Sequence, residues 1–111
     1  MFEGLFGNKN TEKILFFILV NKKCYPSELR KRFQGPIYGF QKTLDKLENA
    51  QILVSFLYGK IRIYEFNPRY PFLNEIKIFL QKAYDSLPIK IKNRYYEPII
   101  RKRPRKRNKP L

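Results

Sequence analysis

A chain of 111 residues has room for one compact domain of ordinary size and not for two. Its 43% hydrophobic and 16% aromatic content suffices for a core and excludes the disordered class, which carries far fewer large apolar side chains. Twenty-four Lys and Arg against nine Asp and Glu leave a net charge of +15, so polyanions are the natural partners, nucleic acid before anionic membrane surface.

One cysteine, Cys24, and no histidine exclude an internal disulfide, suit a reducing compartment and leave too few ligands for a zinc site. The commonest general base is missing as well. The carboxylates are scattered, as Glu12, Glu28, Asp45, Glu48, Glu65, Glu75 and Asp85, and no glycine-rich phosphate loop is present, so an enzyme is not expected and no cofactor is assigned. The longest apolar run, Ile14 to Val20, has seven residues, far short of the ~20 that cross a bilayer. With no export signal in MFEGLFGNKN, the expectation is a cytoplasmic protein with no membrane partner.

Asn8 or Asn10 can cap a first helix, over 11–21, whose apolar positions Ile14, Leu15, Phe17 and Ile18 follow Leu5 or Phe6 at helical spacing. NKK should end it near Asn21. Cys24 and Tyr25 are then extended ahead of Pro26, which opens a second helix, PSELRKRF. There Leu29 and Phe33 bury, and Arg30, Lys31 and Arg32 face solvent.

Gln34, Gly35 and Pro36 break that helix, and Ile37, Phe40, Leu44, Leu47 and Ala50 mark the stripe of a third, over 37–50. Two helices across so short a break predict a helix-turn-helix. ILVSFLY and KIRIYEF, around Gly59 and Lys60, read as a β-hairpin and a candidate wing. After the NPRYP turn a fourth helix, over 72–87, carries Phe72, Leu73, Ile76, Phe79, Leu80, Ala83, Tyr84 and Leu87. Its broad apolar face fits either a homodimer built through helices 11–21 and 72–87 or a helix tucked entirely into its own domain.

Residues 88–111 hold ten cations against one acid, Glu97. The final stretch, RKRPRKRNKPL, reads as a basic tail, disordered when free, while IKIKNRYYEPII before it fits a strand, a helix or no stable element. The expected fold is α+β and mostly helical: a winged helix-turn-helix of three helices, a β-hairpin wing and a C-terminal helix in 1–87, with the basic tail in 88–111.

The segments LFGNKNTEKILFFIL, PSELRKRF, FQKTLDKLENAQILVS and YGKIRIYEFNPRYPFLNEI together resemble the ArsR-like winged-helix regulators of prokaryotes, over roughly residues 4–87. The resemblance implies a dimeric repressor or activator of double-stranded DNA, with the third helix in the major groove and the wing on the flanking backbone. Where such proteins usually carry glycine after the recognition helix, this chain has Gln51, so that helix end must close without the easy left-handed residue. The paired Cys or His ligands of the metal-sensing members are missing, and metal control does not carry over.

On the third helix Tyr38, Gln41 and Lys42 are the base-reading candidates, being near the end that sits deepest in a groove, and Lys46 lies nearer the phosphates. Ser27, at the start of the second helix, is a candidate phosphate holder or an ordinary cap. Lys60 and Arg62 are wing contacts to the backbone or minor groove, whereas Tyr64 and Phe66 on the same side are core or platform residues. Arg101, Lys102, Arg103, Arg105, Lys106 and Arg107 grip phosphates from the tail. RNA binding or general nucleic-acid coating is the rival, because KNRYYEPIIRKR interleaves aromatic and basic residues that could stack unpaired bases. A winged-helix adaptor for other proteins is the third reading.

Overall fold

Gly7, with φ 95°, turns the chain from a short α1 (Glu3–Phe6) into α2 (Lys9–Asn21), where the Asn8 side-chain oxygen accepts the Thr11 N–H at 2.8 Å. Such a cap is worth about 1 kcal/mol. The structure, a computed structural model, describes residues 2–98. Among them are six helices and one two-stranded antiparallel sheet, so the class is α+β and mostly helical. The tail cations Arg101, Lys102, Arg103, Arg105, Lys106 and Arg107 lie outside the described residues. No helix among the described residues is long and apolar enough to cross a membrane.

Five consecutive residues of α2, Ile14, Leu15, Phe16, Phe17 and Ile18, are buried, so this helix is enclosed on all sides rather than amphipathic. The Phe16 ring explains how: Phe2, Phe6, Tyr84 and Tyr96 surround it at 5.7–6.2 Å between centroids. This corrects the expectation that 11–21 lends an apolar face to a dimer, because that face is already covered inside one chain by α1, α5 and the C-terminal segment.

Pro26 supplies the preset φ of a first helical residue and opens α3 (Pro26–Phe33), which ends at Gln34 with φ 57°. Gly35 and Pro36 lead into α4 (Ile37–Asn49), whose buried residues are Phe40, Thr43, Leu44 and Leu47. A helical stripe of this kind packs one side of α4 on α2 and leaves the other outward.

Strands β1 (Leu53–Tyr58) and β2 (Ile61–Phe66) pair from Leu53↔Phe66 to Tyr58↔Ile61. Gly59, at the first position of the two-residue turn, has φ 63°, a conformation costly for other L-residues. Cys24 is tied to the hairpin: its N–H donates to the Tyr64 carbonyl at 3.0 Å and its carbonyl accepts the Tyr64 N–H at 2.8 Å. The entrance of α3 is therefore joined to the hairpin by a backbone bridge.

Helix α5 (Leu73–Asp85) buries Leu80, Ala83 and Tyr84. Beyond it the packed body continues past residue 87, where the expected tail began. A short α6 (Ile89–Ile91) runs into a π-helical turn (Lys92–Tyr96), closed by the Glu97 N–H donating to the Lys92 carbonyl at 2.8 Å. Arg32, expected to face solvent, is half-buried and donates to the carbonyls of Tyr95 and Glu97, each at 2.8 Å, and Asn21 donates to that of Tyr96 at 2.8 Å. Tyr95 stacks on Phe33 at 5.3 Å and 11°, and Tyr96 is 3% exposed.

Candidate nucleic-acid interface

The outward side of α4 divides into two flanks. Ile37, Gln41, Asp45 and Glu48 recur at three- and four-residue spacing and face the hairpin, closing with Ser27, Lys60, Arg62 and Tyr64 a groove of about 500 Å³. Lys42 and Lys46 turn the other way, into a second concavity shared with Asn8, Lys9 and Asn10. Tyr38 stands exposed near the start of the helix. Of the candidates read from the sequence, Ser27, Gln41, Lys60 and Arg62 are thus brought together, and Lys42 and Lys46 form a separate basic flank.

The groove holds both signs of charge. Arg62 is exposed but donates from Nη1 to the Ser55 hydroxyl at 2.9 Å, and that hydroxyl donates to a Glu48 carboxylate oxygen at 2.7 Å. Its guanidinium is therefore braced along the hairpin toward α4, with its remaining N–H groups still open to a ligand. Asp45 and Gln41 are exposed beside it. A carboxylate here repels phosphate but accepts an amino N–H, and the Gln41 amide can both accept and donate.

Ser27 is exposed at the second position of α3, where the dipole favours an anion. It shares that helix end with Glu28, whose carboxyl is raised above the usual range by burial, an effect opposed by the Arg32 charge, by the Tyr25 backbone N–H and by Lys23 and Lys31. A carboxylate already placed at this helix start competes with any phosphate. Cys24 next to it is fully buried, and burial, with the Glu28 charge second, pushes its thiol far up, so it stays protonated and unreactive.

Three cations missed as site residues extend the surface. Arg30 and Lys31 are exposed on α3 and line, with Ser27, Gln34, Gly35, Pro36 and Ile37, an open concavity that shares Ser27 and Ile37 with the groove. Lys9 does the same beside Lys42 and Lys46. The signal was available for the first two, since the spacing of Leu29 and Phe33 sends them to solvent. The position of Lys9 depends on the packing of α2 on α4, which no local pattern shows. Set against protein-family models, curated proteins and solved structures, the chain matches none of them.

Proposed function

We propose that the chain is a winged helix-turn-helix protein of the kind the ArsR-like resemblance implies: a sequence-specific regulator of double-stranded DNA, and a binding protein rather than an enzyme. Helix α4 is the recognition helix for the major groove, the hairpin is the wing, and the tail beyond residue 98 adds phosphate contacts. One observation carries this reading. A groove of mixed donors and acceptors, Gln41, Asp45, Lys60 and Arg62, lies between flanks that present Arg30 and Lys31 on one side and Lys42, Lys46 and Lys9 on the other. Base edges demand both kinds of hydrogen-bonding group, whereas phosphates demand only cations, and the residues are sorted in that way.

The RNA reading is less favoured, because Tyr96 is buried against Phe16 and Phe33 covers one face of Tyr95. The homodimer uses α5, where Ile78 and Phe79 remain exposed, with exposed Phe72 just ahead of it. Selection of bound duplexes from a random pool tests the function. Enrichment of a motif is the expected outcome, and an unenriched pool, or tighter binding of single-stranded RNA at equal salt, contradicts it.

A further inference from the structure

Away from α4 and the hairpin, a further concave site of about 290 Å³ opens where the start of α2 meets the end of α3 and the C-terminal segment. Phe33, Leu87, Ile91 and Tyr95 make its apolar wall. Lys9 and Lys13 line the same space, the Lys13 Nζ lying 5.3 Å from the centre of the Phe33 ring. Its size is near the lower limit of small-molecule pockets, ~300 Å³, which admits one ring or a short branched chain.

Tyr96 also lines the cavity. It is 3% exposed, and among the described residues its hydroxyl makes no hydrogen bond, in contrast to Tyr84, whose hydroxyl donates to the Glu97 carboxylate. A phenol hydroxyl with no partner among the described residues is available to a ligand in the cavity it lines. Burial first, then the charge of Glu12 and the neighbouring Tyr95, hold the Tyr96 phenol protonated, so it acts as a donor. Glu12 is the one acid in the lining; it is 7% exposed and accepts the Phe2 N–H at 2.7 Å. Two cations and a phenolic donor beside an apolar wall favour an anion over a cation.

We infer that this cavity binds a small apolar carboxylate, aromatic or branched aliphatic, whose hydrocarbon part lies against Phe33, Ile91 and Tyr95. Lys9, Lys13 and the Tyr96 hydroxyl take its carboxylate. The site shares Lys9 with the basic flank beside Lys42 and Lys46, but its test needs no DNA.

Nuclear magnetic resonance titration of the full chain with three probes that share one ring tests it: benzoate, neutral benzamide and cationic benzylamine. Benzoate should give saturable shifts centred on Phe33, Ile91 and Tyr95, and should bind roughly tenfold or more tightly than the other two, as charge-assisted hydrogen bonds require. Ile91→Trp, at a partly exposed position that tolerates an indole, should abolish those shifts while the far-ultraviolet spectrum stays unchanged. Lys13→Gln should weaken benzoate and leave benzamide as it was. Three results overturn the inference: no saturable shift with benzoate, benzylamine binding as well as benzoate, or unchanged benzoate affinity in either variant.

Discussion

Gln51 sits at φ 66°, in the left-handed region where a side chain costs about 1–2 kcal/mol. It ends α4 in a Schellman arrangement: the Gln51 N–H donates to the Glu48 carbonyl at 2.9 Å and the Ile52 N–H to the Leu47 carbonyl at 3.0 Å. Asn67 then pins the turn, its side-chain amide donating to the Gln51 carbonyl at 2.8 Å and its N–H to the Ile52 carbonyl at 2.9 Å. Glycine would take the same conformation with less strain, and the Gln51 side chain is exposed, so little packing goes with it. Gln51→Gly should raise stability in urea unfolding by about 0.5–1 kcal/mol, after the entropy cost of glycine. A decrease would show that the residue is not held left-handed.

Glu28 gives a pH test at the same scale. Its folded proton affinity is raised, so its contribution favours the folded state below the unfolded carboxylate range and declines as pH rises through the folded value. Glu28→Gln should therefore melt above the wild type at pH 7, and the difference should shrink toward pH 4. Equal gaps at both values would mean that the carboxylate carries no burial penalty.

Among the elements, the expected helices and hairpin were legible where local signals agreed: the cap at Asn8, the proline at position 26, the stripe from Ile37 to Leu47 and the Gly59 turn. The C-terminal segment was not. Ile89 and Ile91 alternate with lysines as in a strand, and only tertiary partners decide otherwise: the aromatic surface of Phe16, Phe33 and Tyr84, and the fork of Arg32. The full enclosure of α2 has the same origin, since Phe16 is buried by residues up to 80 positions away. A chain ending at Pro98 should keep the stability of the whole. One ending at Leu87 should be weaker by ~3 kcal/mol or more in chemical denaturation, the cost of removing a large core ring. Equal stability for the two would show that 89–98 does not dock.

Of the candidate site, the residue types on α4 and the hairpin were readable, but their sorting was not. Gln41 and Lys42 are neighbours in sequence and line different concavities in space, because one step along a helix turns a side chain by ~100°.

For the whole molecule, charge separates body from tail. Residues 1–98 hold seventeen of the cations and all nine acids, a net +8, and residues 99–111 hold the other seven cations and no acid. The body is therefore basic without the tail. Its largest remaining apolar exposure on a helix is on α5, and a dimer built there makes Ile78→Glu a direct test. Light scattering at micromolar concentration should report two copies for the wild type and one for the variant. A wild-type monomer removes the dimer.

The most direct test of sequence reading by α4 compares duplex binding at fixed salt for the wild type, the chain ending at Pro98, and Gln41→Ala with Lys42→Ala, on the selected site and on random DNA. Removing the tail should weaken both duplexes alike and reduce the salt slope by up to ~0.9 for each phosphate that the tail neutralises. The double substitution should cost roughly 1–3 kcal/mol on the selected site alone for the bidentate base pairing of Gln41, while the loss of Lys42 from the phosphate-facing flank weakens both duplexes by a similar, smaller amount. Preference that vanishes with the tail and survives the double substitution would contradict the assignment of α4 as the recognition helix.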